Sequence, residues 1–454
     1  MRIVIDLQGA QSPDSKHRGI GRYSFSIAHA IVRNKGSHEV IIALNGAYSE
    51  TCSEIIESFQ GLLPRNCIQI FFVPHKDTLL YSSNSWRRNA SEILREAFLE
   101  SLRPDVVLIT SLFEGCSDNV VTSIGRFSRV PTAVVVYDLI PLIYEDTYLQ
   151  NPFVEAWYRD KLSYLKKAGK FLTISDSTKQ ELIDILDIAP QDIMAIGTDV
   201  ESIFCTGEAS FGRSIELGDK YDIRKDYIMY TGGLDERKNI EALLRAYSKL
   251  DLSIRQLFQL VIVCKLPSQM LLRLKSLAQA LQLSESDVVL TGYVDDAALV
   301  DLYRSCALYV FPSWHEGFGL PILEAIRCGA AVIGSNVSSI PEVIGCQDAL
   351  FNPRDTTSMA DLMTRALTDK EFKLSLSKRS YNHCTKFSWD SSGLLAIDAL
   401  VQMQKAKNHN NPDILKRVIQ GIAELPCQPC KESDLLCIAS AIDRSFAKDI
   451  HIKM

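Results

Sequence analysis

From residue 1 to about residue 385 the chain alternates short apolar runs with amphipathic stretches, and that alternation narrows the fold more than any other feature. Strand, helix and strand in repeating order build parallel sheets with helices on both faces. Apolar runs at 2–6, 40–44, 68–73, 106–110, 132–137 and 171–174 read as strands, with helical patterns at 20–32, 90–102 and 177–186 among them. The pattern then restarts. Strands are expected at 227–231, 257–264, 288–290, 308–311 and 331–334, separated by helices at 240–250, 270–281, 299–305 and 320–328. The polar, glycine-containing stretch 206–225 has no clean period and reads as the link between two such domains. Ligands of open α/β sheets bind beyond the carboxyl ends of the strands, so two domains facing each other there would form one cleft.

The last 50 or so residues differ, because the polar stretch 405–412 is followed by helical patterns and no strand. Ile414, Val418, Ile419 and Ile422 recur at helical spacing, as do Leu435, Ile438, Ala439 and Ile442, so each helix has one apolar stripe that must pack on something. Packing on the same chain is the preferred reading, with a dimer or inter-module contact as the alternative. The expected division is 1–205, an N-terminal α/β domain with a doubly wound parallel sheet; 206–388, a second one; 389–405, a connecting helix; and 406–454, a helical tail.

A length of 454 residues suits two or three domains, each with its own core. The formal net charge of −6 argues against general nucleic-acid binding. No run of about 18 apolar residues is present to span a membrane. Met1-Arg2-Ile3-Val4-Ile5-Asp6 enters a strand at once and lacks the features of a signal peptide, so a cytoplasmic protein is expected. The twelve cysteines fall largely in apolar segments, which suits free thiols better than a disulfide framework. Cys427 and Cys430, with Cys437 nearby, lack a second pair and do not make a metal site.

The strongest chemical signal is Glu316-Gly-Phe-Gly-Leu-Pro-Ile-Leu-Glu324. Two carboxylates bracket a glycine loop and a helix N-terminus, where free backbone N–H groups and the positive helix end suit an anionic phosphate. The carboxylates would repel phosphate and more plausibly accept hydrogen bonds from sugar hydroxyls. Arg237 and Lys238 lie in a strand-to-helix loop and suit a departing diphosphate. Standing alone, such a pair is usually a solvated turn. Asp138 ends a strand at the presumed cleft and is the polar candidate for the acceptor side; a capping Asp in a turn is the plainer reading. The chain has no Asp-x-Asp triplet, which suits metal-independent chemistry based on cations and helix ends.

Ser313-Trp-His-Glu-Gly-Phe-Gly-Leu-Pro-Ile-Leu-Glu-Ala resembles the signature of the large retaining glycosyltransferase family 4, which has the two-Rossmann GT-B fold. Tyr230-Thr-Gly-Gly-Leu-Asp-Glu-Arg-Lys-Asn is similar to its phosphate-binding strand and loop. Leu290-Thr-Gly-Tyr-Val, Cys328-Gly-Ala-Ala-Val-Ile, Ile340-Pro-Glu-Val and Arg18-Gly-Ile-Gly-Arg resemble further blocks, so the likeness covers about residues 1–400. It implies that Glu316 faces the transferred sugar, Glu324 the ribose, and Arg237 and Lys238 the diphosphate. Phe318, Gly319 and Leu320 would meet sugar and phosphates through their backbone. Tyr293 and Val294 would lie near the base, and the loop at Gly19 and Gly21 would reach donor and acceptor. Many relatives have Arg where Gly233 stands in the donor loop, and His where Tyr137 stands.

The Asp-Leu-Ile-Pro-Leu block resembles that of bacterial O-antigen and polysaccharide mannosyl- or rhamnosyltransferases, which makes GDP-mannose the expected donor and a polysaccharide or lipid-linked glycan the expected acceptor. The resemblance calls for no cofactor or metal. A sugar-nucleotide 2-epimerase of the same fold, or a silent partner subunit, are the rival readings. The segment 156–170 mixes Trp157, Tyr158 and Tyr164 with Arg159, Lys161, Lys166, Lys167 and Lys170, which raises contact with an anionic membrane surface; packing of those aromatics on the domain core is the simpler alternative.

Overall fold

A strand covered on both faces reads as an unbroken apolar run, and Arg2–Asp6 does so: Ile3, Val4 and Ile5 are fully buried. In the computed structural model, which describes residues 1–16, 18–74, 85–207, 211–265, 267–403, 413–426 and 432–446, this strand is the centre of the first of two parallel sheets. The chain divides into two compact units, Met1–Ile174 with Lys179–Thr198 and Trp389–Met454, and Ser175–Thr178 with Asp199–Ser388. That places the boundary seven residues before the position expected from sequence, since 205 − 198 = 7.

The first unit holds β1 (Arg2–Asp6), β2 (Glu39–Asn45), β3 (Ile68–Phe71), β4 (Val106–Ile109), β5 (Thr132–Val136), β6 (Lys170–Thr173) and β7 (Ile193–Ala195), in the order β3-β2-β1-β4-β5-β6-β7. Ile3 sits opposite Val40 on one side and Val106 on the other. Helices α1 (Gly19–Arg33), α2 (Ser85–Ser101), α3 (Pro152–Leu165) and α4 (Asp176–Leu186) belong to the connections between these strands.

The second unit holds β8 (Asp226–Thr231), β9 (Phe258–Val263), β10 (Val288–Leu290), β11 (Leu308–Phe311), β12 (Val332–Ser335) and β13 (Leu350–Phe351), in the order β10-β9-β8-β11-β12-β13. Its helices include α5 (Phe211–Tyr221), α6 (Ile240–Ser248), α7 (Asp296–Ser305) and α8 (Leu320–Arg327). Helix α5 corrects the reading of 206–225 as a link. It packs against α7 and buries Leu217, so the segment is part of the second unit. Glycines at 207, 212 and 218 hid its period.

The chain re-enters the first unit with α9 (Trp389–Val401), which lies along α1. Helices α10 (Ile414–Ala423) and α11 (Glu432–Phe446) then pack on α2. Val418, Ile422, Ile438 and Ala441 join the same core as Phe71, Ile93 and Phe98. Arg417 pairs with Glu100 at 2.7 Å, and Arg87 pairs with Asp434. Ser445 Oγ accepts from the Phe72 N–H at 2.8 Å and donates to the Phe72 carbonyl at 3.1 Å. Strand β3 is the sheet edge, so α11 covers backbone that an edge strand otherwise leaves open. The Cys427–Cys430 pair and the polar stretch 405–412 lie outside the described residues.

Candidate active site

In the second sheet β8, β9 and β10 run outward one way and β11, β12 and β13 the other, so the order reverses between β8 and β11. The crevice beyond the carboxyl ends at such a reversal is where open α/β sheets bind ligands. Two loops leave there. After β8 a short helical turn, Glu236–Lys238, is capped by Asp235, whose carboxylate accepts from the Arg237 N–H at 3.2 Å. Asn239 then adopts φ of 59° and turns the chain into α6. Its side-chain amide donates to the carbonyls of Pro312 (3.0 Å) and Pro353 (2.8 Å). The Trp314 N–H donates to the Arg237 carbonyl at 2.7 Å, which stitches the β8 loop to the β11 loop.

This stitching brings Glu316 against both cations. Glu316 Oε1 accepts from Lys238 Nζ at 2.6 Å and Oε2 from Arg237 Nη1 at 2.9 Å. The residue is only 6% exposed. Burial opposes its ionisation, but Lys238 and Arg237 outweigh burial and hold the carboxyl below its usual range. The backbone around it is held by hydroxyls. The Glu316 N–H donates to Ser338 Oγ at 3.0 Å. Ser339 Oγ lies within bonding distance of the Glu316 and Phe318 carbonyls, at 2.9 and 2.8 Å. Ser175 Oγ donates to the Gly317 carbonyl at 2.6 Å. Close by, Glu342 accepts from the Asp176 N–H at 3.0 Å, and burial, reinforced by the Asp176 charge, pushes its carboxyl up to about 7.

Gly319 precedes α8 with φ of 102°, a conformation costly for any side chain. Leu320 opens the helix, and Phe318 is buried beneath the loop, edge-on to Phe387. Pro321 has no N–H and the Ile322 N–H donates to the Gly319 carbonyl at 3.0 Å, so the Leu320 N–H is the opening donor placed to meet an anion. Glu324, one turn along, accepts from the Tyr303 hydroxyl at 3.0 Å. Tyr303 and Tyr309 both bond to Thr231 Oγ1 at the end of β8 (2.8 and 2.9 Å), so a buried hydroxyl network orients Glu324. Gly233 is exposed in the β8 loop, near Lys238. Tyr293 stands 74% exposed after β10 while Val294 is buried. Among the described residues no group of three or more His, Cys, Asp or Glu is placed to hold a metal ion.

The remaining expected site residues, Gly19, Gly21 and Asp138, lie in the first unit. Gly19 and Gly21 form the first turn of α1, and a side chain at Gly21 would strike the Ser15 carbonyl at 2.3 Å. Asp138 Oδ1 accepts from the Ile140 N–H at 3.0 Å in the turn that leads into a short helix at Ile140–Ile143. Tyr137 is an anchor: its hydroxyl bonds with Ser24 Oγ (2.9 Å) and the carbonyls of Thr110 (2.9 Å) and Ile20 (3.3 Å). The basic–aromatic face read into 156–170 does not exist as such. Tyr158, Lys161, Tyr164 and Lys170 are buried, Lys161 bonding to Thr122 and Lys170 to the Gln191 carbonyl.

Sequence reasoning missed Ser175, Ser338, Ser339, Tyr303 and Thr231. Single hydroxyls distant in sequence carry no pattern that points to one loop.

Residues 219–383 match the family described as Glycosyl transferases group 1. The matched segment lies within the second unit. It contains Gly233, Arg237, Lys238, Tyr293, Val294 and the whole loop from Glu316 to Glu324. Over its full extent the chain is 36% identical to the serotype-specific mannosyltransferase WbdA of Escherichia coli across 453 residues, 99% of this chain and 54% of WbdA. It thus spans about half the length of this and similar curated relatives. It is also 29% identical over 252 residues to the O-antigen chain mannosyltransferase B of Escherichia coli, covering 53% of this chain and 65% of that one. Among solved structures, Anabaena Alr3699/HepE in complex with UDP and glucose superposes with a TM-score of 0.63 at 14% identity, over 89% of this chain and 100% of that one. WaaG, a glycosyltransferase involved in lipopolysaccharide biosynthesis, does so with a TM-score of 0.58 at 16% identity over the same shares. The fold is therefore GT-B: two Rossmann-like parallel sheets of seven and six strands, with a helical C-terminal region.

Proposed function

We propose that the chain is a retaining mannosyltransferase that moves mannose from GDP-mannose onto a growing O-antigen-type polysaccharide or its lipid-linked precursor. The observation that carries this reading is the junction of Arg237, Lys238 and Glu316 at the β8/β11 reversal inside a group 1 domain. The mannosyltransferase relatives supply the sugar.

In this reading the diphosphate competes with Glu316 for Arg237 and Lys238, and Glu316 turns to the sugar hydroxyls. Glu324 accepts from the ribose, Tyr293 and Val294 border the base, and the backbone of Phe318, Gly319 and Leu320 meets phosphate and sugar. The acceptor hydroxyl attacks the anomeric carbon from the side on which the diphosphate leaves. The new glycosidic bond forms as the bond to the diphosphate oxygen breaks, and that oxygen takes the acceptor proton. Arg237 and Lys238 stabilise the charge that develops there. No metal is required, and Asp138 lies on the acceptor side.

The reaction belongs in the cytoplasm, at the inner face of the membrane where a lipid-linked acceptor would be met. No described helix is long and apolar enough to cross a membrane. Any surface contact from α3 and the turn after it falls to their exposed groups, Phe153 and Arg159 on the helix and Lys166 and Lys167 beyond it. An inter-module or oligomeric contact would use the apolar residues the tail leaves exposed, Ile419, Leu435 and Leu436.

Screening sugar nucleotides by calorimetry, then assaying transfer to mannose oligosaccharides, tests the reading. GDP-mannose should bind and be consumed only with acceptor. Conversion of the sugar nucleotide to its 2-epimer without acceptor would replace this reading with an epimerase.

A further inference from the structure

The first sheet also reverses its order, between β1 and β4, so it too has a crevice beyond its carboxyl ends. The loops that border it, residues 7–18 after β1 and 110–123 after β4, are tied together by side chains. Ser15 Oγ donates to Glu114 Oε1 at 2.7 Å, and Ser111 Oγ donates to the same oxygen at 2.9 Å. Ser12 Oγ donates to Asp118 Oδ2 at 2.6 Å, and Ser117 bonds to Asp14. Ser12, Ser15, Ser111 and Glu114 are all buried, Glu114 being 6% exposed.

A buried carboxyl held by hydroxyls is a poor stabilising device, because leaving water costs it more than neutral donors return. Burial pushes Glu114 up to about 7, against the opposing pull of Ser15 and Ser111. What Glu114 does achieve is geometric. The Ser15 carbonyl accepts from the Arg18 N–H at 2.8 Å and the Gly21 N–H at 3.1 Å, so Ser15 braces the first turn of α1. Tyr137 holds the same turn at the Ile20 carbonyl.

We propose that Glu114 is a positioning residue for the acceptor: through Ser15 it fixes the loop ending at Gly19–Gly21, so that a glycan hydroxyl meets a preformed edge at the β1/β4 crevice. The inference rests on the transferase reading above. No group of the β8/β11 site takes part in the clamp, so its loss acts first on acceptor use and reaches the donor only through the edge at Gly19–Gly21.

The test compares wild type, Glu114→Ala, Glu114→Gln and Ser15→Ala, assayed with GDP-mannose and a tagged mannose oligosaccharide. Loss of a buried hydrogen bond that orders a binding edge should change affinity by up to about tenfold. Acceptor KM should rise by about that factor in Glu114→Ala and Ser15→Ala, with GDP-mannose affinity within twofold of wild type. Glu114→Gln, which keeps an oxygen for Ser15, should recover most of the loss. Ser15→Ala leaves Glu114 its bond from Ser111 and supplies a folded variant if Glu114→Ala does not fold. Unchanged acceptor KM in the folded variants, or donor affinity falling in step with it, overturns the assignment. A wild type that transfers nothing overturns the transferase reading instead.

Discussion

The two sheets reverse their order in the same way, yet the chemistry at the two reversals is opposite. At β8/β11 two cations converge on one carboxylate, which is held ionised despite burial. At β1/β4 the buried cation Arg95 is taken up by Asp6 at the end of β1, the loop groups beyond it are carboxyls and hydroxyls, and burial favours the neutral form of Glu114. Topology therefore places a crevice in each unit, and side chains decide what it can hold. The proposed roles follow that split, a diphosphate at the first set and a hydroxyl-bearing acceptor at the second.

The sharpest way to break this contrast is to remove its charges. Glu316→Ala and Arg237→Ala should each lower kcat by about 100- to 1000-fold, the usual cost of losing one charge-stabilising group. Circular dichroism should show both folded. Near-normal turnover in either variant would mean that the cation–carboxylate junction is structural only.

The next effect separates the units by stability. Ile422 of α10 lies in the core of the first unit. Ile422→Ala should cost about 2–5 kcal/mol of stability by denaturant unfolding, with GDP-mannose affinity unchanged. Cutting the chain at about residue 405 should likewise preserve donor binding. If the truncated protein folds but no longer binds donor, the tail belongs to the site.

A smaller effect is pH dependence, which differs in sign between the carboxyls. Glu114 and Glu342, ordinarily near 4.5, are raised to about 7. Between those values the folded protein holds protons that the unfolded chain has released, so their contribution to stability falls as pH rises from 4.5 through 7. Glu316 is lowered, so its contribution is present above its ordinary value and lost as pH falls. Melting temperatures from pH 5 to 8 should decline less steeply in Glu114→Gln and in Glu342→Gln than in wild type. Identical slopes in all three proteins would show that these carboxyls titrate normally. Smallest of all, EDTA should leave turnover unchanged; full loss restored by magnesium or manganese would show a metal requirement.

Much of this was legible in the sequence, and the exceptions have physical causes. Central strands such as β1 and β11 are unbroken apolar runs and announce themselves. Strands β7 and β13 escaped notice because they are three and two residues long at the sheet edges. Arg237, Lys238 and Glu316 could be read because one motif carries each loop. Ser175 could not, because it reaches Gly317 across 142 residues of sequence. Glu114 sits in a mixed loop with no motif to mark it, since its contact comes from Ser15, 99 residues earlier. Lys161 and Lys170 looked like surface cations, but each finds oxygen partners inside the fold.

The most direct measurement is transfer by wild type and Lys238→Ala side by side, with GDP-mannose and a mannose oligosaccharide, the product's anomeric configuration being read by NMR. The account predicts a new α-mannoside, matching the donor's configuration, from wild type, and at least a hundredfold slower formation from a folded Lys238→Ala. No mannoside product from wild type, an inverted product, or equal rates from both proteins would contradict it.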